Sequence, residues 1–492
     1  MDFSRIGQQI KMYWFEMGKT DKLIILVLIF SFLIRIVFLF YSPLRGWDET
    51  VYLNLGHDLS KNPFMYSLLN SGWNDFISSS DVIYGWPNIG FRAPLLPYII
   101  SIFYALNLNL LIQIIIPFFS TLSIFLVYIL GKKLFNKQIG MYSAVFLALI
   151  PIHVLYSEKI LTDNFVVFFI LLTFISFWRG YEKENKKHKI LFGLFLALSL
   201  LARYTTLWII PVFPLYFLIR DKSLRFLKDK YLWYAIGIFF LTLVPWFIYS
   251  FIYYGNPLGG FIHGFKAAGY WGGVQSWNFF FVNSWRIFSV IGVLFIISLF
   301  YILLKKEFLK REIYLFLIWI VFFSVMVMTM PHKEDRFIMP IIPAVCLISG
   351  FFVDKLKKYK NFIFGLICIF LIISLGGMFK VEYRNLKANS CFIDGNKFLT
   401  NNSIEKISLI VTNQLPIVYY YTQKEVHLYP DPWNLEVLRN IINSSYKDRK
   451  VYIFFANYDM KDSKIKKDLN DNFNKVFECV RGWDNSAIYR YE

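Results

Sequence analysis

The sequence is poor in cysteine and in acidic residues, and it has no internal repeat and no low-complexity tract. Its 492 residues include four cysteines, and none of their spacings is typical of a zinc site. Asp and Glu together number 33, against 52 Lys and Arg. No small-residue cleavage site follows the first apolar run, which we therefore interpret as an uncleaved membrane span rather than a signal peptide. These absences exclude a zinc-binding module and a repeat architecture.

Hydrophobic residues, in contrast, make up 57% of the chain and aromatic residues 20%. Long apolar runs recur along the first 380 residues, which is typical of a polytopic helical membrane protein. The runs predict about eleven spans. They lie near 23–42, 110–131, 139–156, 164–178, 190–202, 207–219, 231–253, 286–304, 312–329, 337–353 and 361–379.

The net charge of +19 is carried largely by short basic clusters between these runs. The clusters lie at 132–137, 179–189, 220–230, 305–311 and 354–360. This positive-inside pattern predicts a cytoplasmic N-terminus and an extracytoplasmic C-terminal segment. It explains the charge without a polyanion, so no nucleic-acid partner is expected. The short apolar run 94–109 is interpreted as a juxtamembrane or re-entrant helix within a large first external loop, 43–109.

The character of the sequence changes at about residue 387. ISLIVT, IVYYYT, EVHLY and KVYIFFAN are interpreted as strands, followed by a terminal hairpin that turns at Asp484–Asn485. The segments between them are interpreted as helices. We therefore predict two domains, a transmembrane catalytic domain (1–386) and a small extracytoplasmic α/β domain (387–492). Cys391 and Cys479 can bridge if this domain is extracytoplasmic, but the sequence does not place them in contact.

Polar residues close to the spans collect on the predicted outer face. Acidic residues in external loops are ordinarily solvated, and arginines at span ends ordinarily anchor to lipid headgroups. In this chain, however, carboxylates and arginines share one membrane face, in tight loops that a bundle can bring together into one cleft. That combination suits activation of a hydroxyl while a phosphate is held. The residues are Asp48, Glu49, Arg92, Glu158, Asp163, Arg203, His332, Lys333, Glu334, Asp335 and Arg336. Arg35, inside the first span, is expected to extend outward or to meet an anion.

Taken in order, several motifs carry a family resemblance. They are WDETVYLNLGHDL, FRAPLLPY, a loop ending in TDN, GLFLALSLLARYT and HKEDRFIMPIIPA. The set resembles the GT-C superfamily of polyprenyl-phosphate-sugar-dependent glycosyltransferases. More narrowly, it is similar to the protein O-mannosyltransferase and lipid A aminoarabinose transferase group. The resemblance covers residues 23 to about 353, and it implies a helical membrane bundle with a large first external loop.

The resemblance implies roles for individual residues. Asp48 matches the catalytic carboxylate of the first external loop, with Glu49 beside it, and Asp163 matches the second acidic residue. Arg92 matches the basic residue associated with the lipid phosphate, although the family's lysine followed by two prolines or Pro-Ile is replaced by Arg-Ala-Pro-Leu in this chain. That departure leaves the sugar undetermined. Arg336 matches the basic residue that opens the late RF-hydrophobic-P segment.

The function implied is transfer of a sugar, with inversion, from a polyprenyl-phosphate donor to a hydroxyl of a protein, glycan or lipid acceptor. Asp48 accepts the proton, while Arg92, Arg203 and Arg336 support the phosphate leaving group. Tyr52, Glu158, His332, Lys333 and Glu334 are further candidates for substrate binding. The reaction does not demand a metal, although His263, His332 and Glu334 are of the types that hold a divalent ion. A transporter or flippase of lipid-linked glycans and a non-catalytic scaffold are the alternatives.

Overall fold

The computed structural model describes residues 18–37, 39, 46–66, 92–270, 274–388, 390–401, 408–429, 433–447, 449–457, 463–481 and 484–491. Much of the predicted first external loop, residues 67–91, lies outside these ranges. The chain divides into two compact units. The first comprises the described residues of Met1–Leu39, Gln113–Leu258 and Ala268–Met378. The second comprises those of Phe40–Ile112, Gly259–Ala267 and Phe379–Glu492. The predicted domain boundary near residue 387 stays a prediction.

Helices make up most of the described structure. In chain order they are α1 (Lys19–Ile36), α2 (Trp47–Lys61), α3 (Leu95–Ala105), α4 (Asn109–Ile112), α5 (Ile115–Leu134), α6 (Lys137–Leu149), α7 (Pro151–Leu155), α8 (Thr162–Phe177), α9 (Lys186–Ala202), α10 (Val212–Asp221), α11 (Lys230–Tyr254), α12 (Gly259–Tyr270), α13 (Phe279–Val282), α14 (Ser284–Phe288), α15 (Val290–Leu304), α16 (Arg311–Met328), α17 (Ile342–Lys355), α18 (Lys360–Ala388), α19 (Ser390–Thr400), α20 (Leu415–Thr422), α21 (Leu435–Ser445) and α22 (Ser463–Asn472).

Shorter helical turns join some of these helices. A π-helical turn, Trp178–Glu182, extends α8, and 3₁₀ turns occupy Tyr204–Ile209 and Asp335–Ile341. Further 3₁₀ turns lie at Arg225–Lys228, Glu307–Leu309 and Lys357–Tyr359.

Every predicted span overlaps a helical segment of this structure. Among the described residues, six helical segments are long and apolar enough to cross a membrane. They are Ile115–Leu134, Thr162–Glu182, Lys230–Tyr254, Arg311–Met328, Asp335–Lys355 and Lys357–Arg384. The chain is therefore a multi-pass membrane protein, and the larger count of about eleven crossings stays a prediction.

Close helix packing in the first unit depends on small residues. A Cβ atom added to Gly193 of α9 would lie 2.0 Å from the carbonyl oxygen of Ala235 in α11. One added to Gly131 of α5 would lie 2.7 Å from the Cα of Gly140 in α6. Without a driving force from water, helices in lipid associate through such close backbone approach. Glycine is therefore required at these contacts.

Arg35 of α1 is buried, with 1% of its surface exposed, at the break between α6 and α7. Its guanidinium donates hydrogen bonds to the carbonyl oxygens of Ala148, at 3.3 Å, and Leu147, at 3.5 Å. The carbonyl of Leu147 has no helical donor because Pro151 lacks an N–H. Nη2 of Arg35 is also 2.8 Å from Nδ1 of His153. The expectation that Arg35 extends outward or meets an anion was wrong, because it pairs with the carbonyls that the helix break leaves open.

The C-terminal part of the second unit contains a five-stranded sheet. Its strands are β1 (Leu409–Thr412), β2 (Glu425–Leu428), β3 (Val451–Asn457), β4 (Asn474–Arg481) and β5 (Asp484–Tyr491), in the order β2-β1-β3-β5-β4. β1 pairs in parallel with β2 and β3, while β5 pairs antiparallel with β3 and β4. Buried side chains of the strands pack with Leu438, Ile442 and Leu469 of the flanking helices. This confirms the predicted α/β segment and its terminal hairpin.

Two details of that prediction were wrong. IVYYYT lies in helix α20 rather than in a strand, because the parallel strands β1 and β2 require a crossover connection and Pro416 suits the first turn of a helix. Asp484 and Asn485 lie in β5 rather than at the turn, since Asp484 already pairs with Arg481. Cys391 of α19 and Cys479 of β4, whose contact the sequence left open, form a disulfide across 88 positions of the chain.

Candidate functional site

The second unit pairs Asp48 with Arg92. Asp48 lies in the first turn of α2, and its Oδ1 accepts a hydrogen bond from Nη2 of Arg92. The side chains of Asp48 and Arg92 are 22% and 24% exposed, so solvent and ligands can reach the pair. The guanidinium also lies 5.8 Å from the ring centroid of Tyr52. The result is a charge-balanced pair that remains accessible, with one aromatic wall.

Glu49 is held differently from its neighbour. Its Oε2 accepts a hydrogen bond from the backbone N–H of Gly46 at 2.9 Å, which completes the amino-terminal end of α2. Only 7% of Glu49 is exposed. Tyr66 helps to fix the other partner, since its hydroxyl donates to the carbonyl oxygen of Arg92 at 3.0 Å. Of the two adjacent carboxylates, Asp48 is thus the accessible one.

The first unit surrounds Asp163 with two arginines. Asp163 lies in the first turn of α8, where the helix dipole favours a negative charge, and its side chain is 1% exposed. Its Oδ1 accepts a hydrogen bond from Nη1 of Arg203, the residue that follows α9. Nη1 of Arg336 lies 3.9 Å from its Oδ2. One buried carboxylate therefore lies between two guanidinium groups, with a hydrogen bond from Arg203 and a longer ion pair with Arg336.

Residues of the HKEDRF segment complete this cluster. Oε1 of Glu334 accepts a hydrogen bond from Nη2 of Arg336 at 2.8 Å and lies 3.1 Å from Nε2 of His332. The guanidinium groups of Arg203 and Arg336 lie 5.2 and 5.9 Å from the ring centroid of Phe337. Such cation–π contacts orient both arginines over one ring. Several residues predicted separately are thus brought together in this cluster.

Lys333 and Glu158 are the two remaining residues of this region that were predicted to bind substrate. The ammonium of Lys333 is buried and donates to the carbonyl oxygens of Met330, at 2.5 Å, and Gln275, at 3.1 Å. Its backbone N–H donates to Oε1 of Gln275 at 2.6 Å. Lys333 therefore ties two loops together. Glu158 is half-buried in the loop between α7 and α8.

Arg286 was not among the site residues predicted from the sequence. Its Nε lies 2.5 Å from Oδ2 of Asp335, next to Arg336 in sequence, although 66% of its side chain is exposed. As the first residue of a predicted span, Arg286 had the position of an ordinary lipid anchor, so only its contact reveals the link. Among the described residues, no cluster of three or more His, Cys, Asp or Glu could hold a metal ion.

The sequence of this chain is similar to that of known mannosyltransferases over part of its length. Residues 91–249 match the family model described as dolichyl-phosphate-mannose-protein mannosyltransferase. The chain is 29% identical over 157 residues to the alpha-1,2-mannosyltransferase ALG9 of Mus musculus, covering 28% of this chain and 24% of the relative. It is 29% identical over 235 residues to GPI mannosyltransferase 3 of Saccharomyces cerevisiae, covering 40% and 36%. The matched stretches thus span about a quarter and a third of these curated relatives.

A solved structure matches much more of the chain. ArnT from Cupriavidus metallidurans bound to undecaprenyl phosphate superposes with a TM-score of 0.70 at 11% identity, covering 96% of this chain and 98% of that one. At this identity the likeness concerns the fold, and the fold is that of the GT-C proteins. Together with the family model over residues 91–249, it confirms the resemblance of the chain to the GT-C superfamily.

Proposed function

We propose that this chain is a membrane glycosyltransferase. It moves a sugar, with inversion at the anomeric carbon, from a polyprenyl-phosphate-linked donor to an acceptor hydroxyl on the extracytoplasmic face. The observation that carries the proposal is the accessible Asp48 carboxylate, which pairs with Arg92 at the first turn of α2. A carboxylate that solvent can reach, next to one fixed cation, can take a proton from a hydroxyl without first losing a buried ion pair.

In the proposed reaction, Asp48 takes the proton of the acceptor hydroxyl as its oxygen attacks the anomeric carbon. The bond between that carbon and the phosphate oxygen breaks, and the lipid phosphate departs as a stable anion. A strong general acid is therefore not required. The proton then passes from Asp48 to solvent. Glu49 completes the start of α2 and holds Asp48 in place, rather than serving as a second base.

The leaving phosphate requires cations, and the arginines are the candidates. Guanidinium groups bind phosphate oxygens through paired hydrogen bonds. Arg92 is partly exposed, and Arg203 and Arg336 lie together at Asp163, so their guanidinium groups are suited to bind an anionic ligand. Asp163 then acts as a positioning residue that fixes both arginines. That these groups and Asp48 meet in one cleft stays a prediction.

The chemistry of the C-terminal domain supports an extracytoplasmic location. The bond between Cys391 and Cys479 closes a long loop, and such disulfides persist in oxidising compartments. With the predicted number of spans, the basic clusters fall in the opposite set of loops, in agreement with the positive-inside pattern. Both observations favour the same orientation, with the N-terminus in the cytoplasm.

The relatives suggest the class of donor. The matching family model is described by its dolichyl-phosphate-mannose donor, and the matching ArnT structure holds undecaprenyl phosphate. Both ligands are polyprenyl phosphates, so we propose a donor of this class with a hexose such as mannose, or a pentose. The acceptor is a protein, a glycan or a lipid with a free hydroxyl.

The test is to incubate the purified protein, in liposomes, with a polyprenyl-phosphate hexose labelled in the sugar. A transferase releases polyprenyl phosphate, with the label on an acceptor or, slowly, on water. A flippase moves intact donor between leaflets, and a scaffold does neither. Intact donor after prolonged incubation, with a membrane extract supplied as acceptor, would rule out the proposed function.

A further inference from the structure

A second group of cations in the first unit takes no part in the site above. Lys133 lies in the last turn of α5, Arg179 in the π-helical turn after α8 and His188 in the first turn of α9. Nη1 of Arg179 lies 3.1 Å from Nε2 of His188. Arg179 and His188 are thus in contact, and Lys133 lies close enough for its charge to act on the His188 imidazole, within loops predicted to be cytoplasmic.

The acidic residues of the neighbouring loops are already used by other cations. Glu182 pairs with Arg220 at 2.7 Å and with Arg311 at 3.0 Å. Lys189 pairs with Glu184 and Asp229, at 2.6 Å each, and Asp221 pairs with Arg220 at 2.6 Å. In the part of the chain that the structure describes, neither Lys133 nor Arg179 has a carboxylate partner. Their positive charge therefore remains unbalanced.

Two further observations point to an anionic ligand. The pKa of His188 is lowered by its partial burial and then by the charges of Arg179, Lys187 and Lys133, so these cations all lie near the imidazole. The cluster also includes the amino-terminal end of α9, where Asn185 caps the helix by accepting from the N–H of His188. Helix amino-termini attract phosphate groups through their dipole and through those N–H groups that no cap occupies.

We propose that Lys133, Arg179 and His188, with the amino-terminal turn of α9, bind the phosphate of an anionic lipid headgroup. A lipid is the ligand we favour because Lys133 and Arg179 lie at the ends of Ile115–Leu134 and Thr162–Glu182, which are long and apolar enough to cross a membrane. Charges at such ends meet the headgroup layer, where anionic lipids are concentrated. The site is separate from the proposed transfer reaction and does not depend on it.

The experiment measures phosphatidylglycerol bound per protein by native mass spectrometry, with the full chain in neutral detergent. The wild type should retain phosphatidylglycerol in preference to phosphatidylcholine. Arg179→Gln should bind it about fivefold more weakly, and the Lys133→Gln/Arg179→Gln pair about 25-fold, since each direct hydrogen bond from a cation to a phosphate oxygen contributes at least about a fivefold change. Arg179→Lys, which keeps the charge, should bind nearly as the wild type does and guards against a folding defect.

The matched control is Lys305→Gln, which removes one exposed positive charge from another basic loop. It should change lipid retention by less than about twofold, because diffuse surface charge is largely screened. An equal loss in Lys305→Gln and Arg179→Gln would overturn the proposal. So would the absence of any preference for phosphatidylglycerol. Displacement of the lipid by an equal concentration of inorganic phosphate would assign the cluster to free phosphate and contradict the lipid site.

Discussion

Asp48 and Asp163 are both acidic residues of the GT-C motif set, and each pairs with arginine, yet their surroundings differ. Asp48 is 22% exposed and pairs with Arg92. Asp163 is 1% exposed, with Arg203 hydrogen-bonded on one oxygen and Arg336 near the other. An accessible carboxylate can exchange a proton with a substrate. A buried one between two cations is suited to fixing their positions instead.

The contrast between these two residues shows that residue type alone does not assign a catalytic role. Exposure and the number of charged partners separate a proposed base from a positioning residue. The same distinction applies to two adjacent residues. Glu49 is buried and accepts a hydrogen bond from the backbone at the start of α2, whereas its neighbour Asp48 is partly exposed. Substitutions of both carboxylates and of their arginine partners test whether this separation holds.

The largest effect is expected for Asp48→Asn. The amide cannot accept the proton, so sugar transfer should fall by about 10³-fold. The thermal unfolding midpoint should change little, because a partly exposed ion pair contributes no more than about 1 kcal/mol. An assay of sugar transfer from the donor and a melting curve, both on the same preparation, measure the two quantities. Glu436→Gln, on the exposed face of α21, serves as the matched charge control. Substantial turnover in Asp48→Asn would remove this residue from the base role.

Asp163→Asn should reduce both turnover and stability. Removing the carboxylate takes a buried negative charge away from the two guanidinium groups beside it, which costs about 3 kcal/mol of unfolding free energy. Turnover should fall by about 100-fold as the arginines lose their fixed geometry. The measurement is a denaturation curve beside the transfer assay. If stability is unchanged while turnover is lost, Asp163 has a catalytic role like that proposed for Asp48. The proposed difference between the two residues would then be wrong.

Smaller effects are expected at the arginines. Arg336→Gln should raise the KM for the donor by about tenfold, because a hydrogen bond to a charged phosphate contributes about 1.5 kcal/mol or more. Arg92→Gln should also lower kcat, since it removes the partner of Asp48. Steady-state kinetics at varied donor concentration distinguish a change in KM alone from a change in both KM and kcat. Arg286→Gln, whose side chain is 66% exposed, is the control and should leave KM within about twofold.

The smallest effect concerns Glu425 in the sheet. Its pKa is lowered to about 2, mainly by a hydrogen bond from His427 and also by Arg449, against the opposing effect of burial. Because the folded-state pKa lies below the ordinary value of 4.5, this stabilisation is present above about pH 4.5 and disappears as the pH falls towards 2. Glu425→Gln should therefore lower stability at pH 7 and flatten the acid side of the stability curve. Transfer activity should be unaffected.

The sequence predicted the helical segments well because each apolar run is long and bounded by charge. It failed for IVYYYT, where β-branched and aromatic residues have strand propensity but the parallel pairing of β1 and β2 requires a helix. Arg35 was misjudged because its partners, the open carbonyls at the break before Pro151, lie more than a hundred residues away in sequence. Local patterns do not encode such contacts.

For the candidate site, motif order identified Asp48, Arg92, Asp163 and Arg336, but not which residues pair. The link of Arg203 to Asp163 spans 40 positions, and that of Arg92 to Asp48 spans 44. These pairings follow from helix packing rather than from spacing. The different roles proposed for Asp48 and Asp163 likewise rest on their exposure, which the sequence does not reveal.

The anomeric configuration of the transferred sugar tests the central claim most directly. With a donor of known configuration, NMR of the first product distinguishes the two outcomes. If Asp48 acts as the base in a single displacement, the product has the inverted configuration. Retention would indicate a covalent sugar–carboxylate intermediate in which Asp48 is the nucleophile, and it would contradict the proposed role of Asp48 as a base.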